Sequence, residues 1–215
     1  MSTDWATASS LATAGGTLVL AIATFSAIRS ANVAARTAER TLLAGLRPVL
    51  FPSRLSDPAQ EIRWGDNHAA TLEGGRSSVE HVDGVVYLAM SLRNVGAGIA
   101  VIHGWRAGPE ERVFEDYRPE VEDFRIQLRD LYVPVGDASF WQAAVRDPEH
   151  PDRDEILEGI RRGSLIIDIL YGDHEGGQRI VSRFNALRRS PESTTWECSV
   201  VRHWTIDRRD PRREG

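Results

Sequence analysis

From Trp5 to Ile28 the chain reads WATASSLATAGGTLVLAIATFSAI, with no charged side chain between Asp4 and Arg29. At 1.5 Å per helical residue, about twenty residues cover the ~30 Å hydrocarbon core of a bilayer. The run therefore predicts a transmembrane helix over residues 6–28, preceded by a short tail, 1–5. Ser, Thr, Ala and Gly dilute Leu18, Val19, Leu20, Ile22, Phe25 and Ile28, so the segment is only moderately apolar. A secretory signal would carry positive charge ahead of the apolar run, and here Asp4 occupies that place. The arginines come afterwards, at Arg29, Arg36, Arg40 and Arg47. An uncleaved anchor fits this order better than a cleaved signal.

The same asymmetry predicts orientation. Basic residues beside a span are retained on the cytoplasmic side, which places the N-terminus outside and everything after Arg29 in the cytoplasm. The lone Cys198 agrees, because a single thiol forms no intrachain disulfide. Ala8, Ala12 and Gly16 recur at four-residue spacing, a pattern of small residues that lets helices approach closely in lipid and suggests a homodimer through the anchor. Chance spacing in an alanine-rich segment is the other reading.

Residues 29–46 continue as a helical stalk, with Val33, Leu42, Leu43 and Leu46 against Arg36, Glu39 and Arg40. Pro48 cannot continue a helix and disfavours helical geometry at Arg47, so the stalk is expected to end there. Charge changes sign along the chain. Residues 29–54 carry five arginines against Glu39 alone, whereas 55–215 carry 21 arginines against 29 acidic residues, a net −8. A basic collar beside anionic headgroups followed by an acidic domain is electrostatically consistent. The overall charge of −5 offers no basis for nucleic-acid binding.

The rest, 47–207, predicts a mainly β domain, an antiparallel immunoglobulin-like sandwich. VVYLAMSLRN (85–94) alternates with period two, placing Val86, Leu88, Met90 and Leu92 on one face. Strands are also predicted over 47–54, 99–107, 164–172, 178–187 and 195–207, with weaker ones in HAATLEGG and SSVEHVDG. The last three long strands form a meander. Helices are predicted over 153–162 and, more weakly, 118–130. The charged end, 208–215, reads as a solvated tail.

LRNVGAGIAVIHGW (92–105) carries an Asn-x-Gly-x-Gly-x-Ala signature between two strands. Together with the anchor and YGDHEGGQR (171–179), it resembles a family of bacterial single-pass membrane proteins with a C-terminal immunoglobulin-like domain. The resemblance implies architecture and location and no activity. Asn94, Gly96 and Gly98 suit a structural turn. A phosphate cradle would need a following helix and a Lys with a hydroxyl partner, all missing here.

YGDHEGGQR places Asp173, His174 and Glu175 between Gly172 and the Gly176-Gly177 pair, with Arg179 after them. The strand-like flanks make it a hairpin tip with glycine-dependent turns. The sharper reading is a catalytic or metal-binding tip, for which His103 or His203 would have to converge on it. No H-E-x-x-H, C-x-x-C pair or G-x-S-x-G is present. No cofactor is expected. Trp105, Trp141, Trp196 and Trp204 suit core or sheet-face positions, with a Trp- and Arg-lined groove as the alternative. Cys198 reads as a strand residue, not a nucleophile. These features predict a non-enzymatic, membrane-anchored interaction or assembly module with a protein partner. The alternative is a hydrolase-like or metal-dependent enzyme using the 173–175 loop.

Overall fold

The computed structural model describes residues 3–109, 118–191, 193 and 195–210, without the side chains of 3–8, 11 and 12. Helix α1 spans Thr3–Gly45 without a break and ends just ahead of Pro48, where a proline ring would clash with the preceding turn. Its polar residues do not interrupt it. The hydroxyls of Thr13, Thr17, Thr24, Thr37 and Thr41 each donate to the carbonyl four residues earlier, so the helix satisfies them internally. Within α1 one segment is long and apolar enough to cross a membrane. Gly16 lies in this helix; the side chains of Ala8 and Ala12 are outside the described residues.

Residues from Gly45 onward form a separate compact unit. It is mainly β and antiparallel, with strands β1 (Leu50–Pro52), β2 (Gln60–Arg63), β3 (Ala69–Leu72), β4 (Arg76–Val82), β5 (Val85–Asn94), β6 (Ala100–Gly108), β7 (Arg125–Val133), β8 (Ala138–Val145), β9 (Ser164–Asp173), β10 (Arg179–Arg188) and β11 (Trp196–Thr205). Helix α2 (Arg153–Arg162) lies between β8 and β9. Nine strands make one sheet running β7-β6-β9-β10-β11-β4-β5-β8, with β1 also on β5, and β2–β3 is a separate hairpin. The sheet curls so that its two halves face each other across the core, a sandwich-like arrangement.

Three apolar clusters explain why this sheet is stable. Leu88, Met90, Trp141, Ile167, Phe184 and their neighbours fill the interior, and Ile156 of α2 joins them. A second cluster lies under the β2–β3 hairpin, where Ile62, Trp64 and Leu72 cover Tyr87 and Ala89 of β5. A third joins Phe124, Leu170, Val181, Trp204 and Ile206. The central strands are thus covered on both faces, and every residue of β9 is buried. Apolar area buried this way supplies roughly 25 cal/mol per Å².

The third cluster overturns one expectation. Residues 118–130 contain no α-helix. A single 3₁₀ turn, Val121–Asp123, leads into β7. Arg118 fixes the segment by donating from both Nη atoms to the carbonyls of Arg208 and Ile206. Phe124 then covers the sheet, with the Arg106 guanidinium 5.7 Å from its ring. Strands β2, β7 and β8 were not predicted. The meander β9-β10-β11 and helix α2 match the expected order and near bounds. Of the expected tail, 211–215 lies outside the described residues.

Candidate functional site

The YGDHEGGQR stretch divides between strand and turn. Gly172 and Asp173 end β9, and the exposed tip begins at His174. Asp173 is almost fully buried. Its Oδ1 accepts from the backbone N–H of Glu175 and of Gly177, so its carboxylate ties the turn together. Gly176 adopts a φ of +72°, a left-handed conformation that glycine adopts without Cβ strain. His174 and Glu175 lie 3.4 Å apart at the tip. Arg179 turns away and clasps Asp207 at 2.7 and 2.9 Å.

The two outlying histidines part company. His103 lies beside the base of the tip, where a Cβ on Gly172 would sit 2.9 Å from its Nε2. Partial burial holds this imidazole below its ordinary value, opposed by Asp130 and Asp173. His203 stands opposite Ser182 on β11, and Ser182 opposite Ile169 on β9. That is four residues, or about 13 Å, along β9 from Asp173. Among the described residues no three His, Cys, Asp or Glu side chains gather as a metal site.

His203 belongs instead to a buried relay. Leu50 N–H donates to Tyr171 Oη at 3.1 Å, Tyr171 Oη and Ser182 Oγ share a hydrogen bond at 2.8 Å, and Ser182 Oγ and His203 Nδ1 share one at 2.6 Å. The Ser–His contact resembles a nucleophile with its base. Ser182 is nevertheless fully buried, held between the Tyr171 hydroxyl and the His203 ring. Burial pushes the Tyr171 hydroxyl up to about 12. Tyr171→Phe removes the acceptor for a buried amide and is expected to cost about 1–3 kcal/mol, read from urea unfolding of the full chain in detergent.

The 94–98 turn is structural in its geometry. Asn94 is fully buried. Its Oδ1 accepts from Val49 and Gly96 N–H, and its Nδ2 donates to the carbonyls of Gly98 and Val133. Cys198 is half-buried, and burial pushes its thiol up to about 12, away from nucleophilic character.

The exposed chemistry lies elsewhere, at the seam of the curled sheet. β7 and β8 are its two ends, and no ladder joins them among the described residues. Their connection is pinned to β5 by Gly136 N–H donating to the Asn94 carbonyl. Beyond it they diverge around a cleft of about 460 Å³, lined by Trp64, Trp105, Arg125, Gln127, Leu128 and Gln142 among others. Arg125 stacks 5.1 Å above Trp105, which itself packs edge-on against Trp141. Desolvation holds the Arg125 guanidinium below its ordinary value. Residues 127–130 bulge out of the β6 ladder, which breaks between Ile102 and Gly104. Ile126 and Leu128 point to solvent at 81% and 101% exposure. A second cleft, of about 380 Å³, is lined by Arg47, His203, Arg208 and Asp210 among others.

The chain matches no family model, no characterised protein and no solved structure. Sequence reasoning considered Trp105 for a Trp- and Arg-lined groove but missed Arg125, Gln127 and Gln142. The helical reading of 118–130 hides the strand that carries Arg125 and Gln127.

Proposed function

We propose that the chain is a membrane-anchored, non-enzymatic interaction module that presents its β domain at the inner membrane face. Residues 6–28 act as the span, 29–46 as the stalk and 47–207 as the presented domain, with 208–215 as a tail. The absence of Lys and Arg before the apolar run, against four arginines after it, supports cytoplasmic placement of the domain. The four-residue spacing of Ala8, Ala12 and Gly16 in the sequence supports pairing of two anchors.

The observation that carries this reading is the open seam. Exposed Leu128 and Ile126 stand beside arginine and tryptophan, residue types enriched at protein-binding hot spots. The enzymatic alternative at Asp173, His174, Glu175 and Arg179 draws support from His103 beside Gly172. Against it stand the commitment of Asp173 Oδ1 to two backbone donors and of Arg179 to Asp207.

The test is fractionation and protease access in intact cells. The untagged chain is expected to remain with membranes through an alkaline carbonate wash. Its C-terminal domain is expected to be cut only when vesicles are inverted or opened. Proximity labelling should recover one saturable protein partner. A chain soluble without detergent, or a domain digested from outside sealed cells, overturns the reading.

A further inference from the structure

We propose that the cleft between the lead-in to β1 and the end of β11 is a binding site for a phosphate monoester, held by Arg47, Arg208 and Arg209. The site shares no lining residue with the β7–β8 seam and goes beyond the interaction-module reading.

The strand order leaves this cleft open. β11 pairs with β4 only at Trp196 and Glu197, and β1 pairs with β5. Among the described residues no ladder joins β1 to the later part of β11. One side chain bridges the gap, where Arg47 Nη2 donates to Thr205 Oγ1 at 2.6 Å. Having accepted that bond, the Thr205 hydroxyl keeps its own proton to donate. The opening beside them measures about 380 Å³, and its walls carry Arg47, Thr205, Arg208, Arg209 and Asp210 with the His203 and Trp204 rings. Arg208 and Arg209 are exposed and Arg47 is half-buried, so an ion in solution reaches the site.

The backbones that carry these arginines are fixed. On one side Ala97 N–H donates to the Arg47 carbonyl and Val95 N–H to the Val49 carbonyl. On the other, Ile206 N–H donates to the Arg179 carbonyl and Arg208 N–H to the Thr205 carbonyl. Arg118 holds the carbonyls of Ile206 and Arg208 as well. An arriving ligand therefore orders side chains and little backbone, which lowers the entropic cost of binding.

Charge selects the ligand. The walls hold three arginines against Asp210, a net of two positive charges with His203 neutral. The neighbouring elements cancel. Asp207 is clasped by Arg179, and Asp168 is shared by Arg106 and Arg183. The 3₁₀ segment adds Glu120, Glu122 and Asp123, opposed by Arg118 beside Asp207 and by Arg202 beside Trp204. The hairpin tip brings Asp173, two strands or roughly 10 Å from Thr205, and Glu175, which faces His174. Over a Debye length of about 8 Å those two are largely screened. A cleft whose walls are mainly of one sign concentrates counter-ions. Two excess positive charges match a phosphate monoester, which is close to a dianion at neutral pH. A carboxylate or a phosphodiester brings one charge and leaves the other unmatched. Guanidinium forks also pair bidentately with phosphate oxygens, and the Thr205 hydroxyl supplies a further donor.

The experiment titrates the full chain, in phosphatidylcholine nanodiscs, with glycerol phosphate and follows the heat of binding. At about pH 7.5 the monoester carries close to two charges. Saturation is expected with a Kd below about 1 mM, and acetate and dimethyl phosphate should each bind at least tenfold more weakly. Arg208→Gln/Arg209→Gln and, separately, Arg47→Gln are each expected to weaken glycerol phosphate at least tenfold. Arg208 and Arg209 are exposed, so the double variant keeps the test decisive should Arg47→Gln unfold. Arg161→Gln/Arg162→Gln makes the same change of charge just ahead of β9, at the opposite end of that strand from Asp173, and should bind as the wild type does. A second arm finds the source of the phosphate. Glycerol phosphate that titrates more weakly in phosphatidic acid nanodiscs than in phosphatidylglycerol nanodiscs of equal charge assigns the site to a lipid headgroup. Equal titration in the two assigns it to a soluble monoester, and either result upholds the site. Lack of saturation by about 1 mM, acetate bound as tightly, an unchanged Arg208→Gln/Arg209→Gln variant, or equal damage from the Arg161→Gln/Arg162→Gln control overturns the proposal.

Discussion

Asp168→Ala is expected to cost the domain about 3–5 kcal/mol, because it removes the buried carboxylate that two arginines share. Asp168 lies in register with Arg106 on β6 and Arg183 on β10. Its Oδ1 accepts from Arg183 Nε at 2.8 Å, and its Oδ2 accepts from Arg183 Nη2 at 2.9 Å and from Arg106 Nε at 2.8 Å. Asp168 and Arg183 are 1% and 2% exposed. Trp204 lies against the Arg183 guanidinium at 5.0 Å, so neither charge reaches water by a simple rotamer change. The cost of the variant is buried positive charge deprived of this carboxylate, not the worth of the pair. Replacing Arg106 and Arg183 by Met and Asp168 by Leu together is accordingly expected to recover most of the lost stability. Urea unfolding of the full chain in detergent micelles, followed by tryptophan emission, measures both. A loss below about 1 kcal/mol for Asp168→Ala, or a triple variant no more stable than it, would show that unpaired charge is not the operative penalty.

The elements legible in the sequence are those that carry a period of their own. VVYLAMSLRN alternates in sequence and is buried on both faces, and RDEILEGIRR carries Ile156 toward the core with Arg161 and Arg162 in the last helical turn. The 118–130 segment misled because Val121, Phe124, Leu128 and Leu131 are spaced three, four and three apart, which mimics a helical stripe. Pairing of Ile126 and Leu131 with β6 won over that spacing, as tertiary context routinely does. β2 is four residues long and finds its partner only in the local hairpin with β3. Its value lies in covering the outer face of β5, which no local pattern announces. The candidate site was less legible for a related reason. Arg125, Gln127 and Gln142 meet because two strands at opposite ends of the sheet return toward each other, and His103 meets Gly172 only through β6–β9 pairing. Residues that converge through curvature leave no spacing to read.

Gly98→Ala should be the more severe of two contrasting glycine replacements, with a loss of more than about 3 kcal/mol for a purely steric reason. A Cβ at Gly98 would lie 1.8 Å from the Leu46 carbonyl oxygen and 2.4 Å from its carbon. Both are backbone atoms, so no side-chain rotation relieves the contact. The segment that carries Leu46 is held nearby through Val49 N–H on Asn94 Oδ1 and Ala97 N–H on the Arg47 carbonyl. Moving it away would break those bonds and disturb the 2.6 Å bond from Asn94 Nδ2 to the Gly98 carbonyl. Gly84 presents the opposite case. Its φ is +79°, yet a Cβ there meets nothing within 4 Å. Gly84→Ala therefore carries only the left-handed backbone penalty of about 1–2 kcal/mol. Side-by-side urea unfolding of the two full-length variants decides the matter. If Gly98→Ala proves as mild as Gly84→Ala, the lead-in to β1 can shift off the 94–98 turn, and close approach is not what requires glycine there.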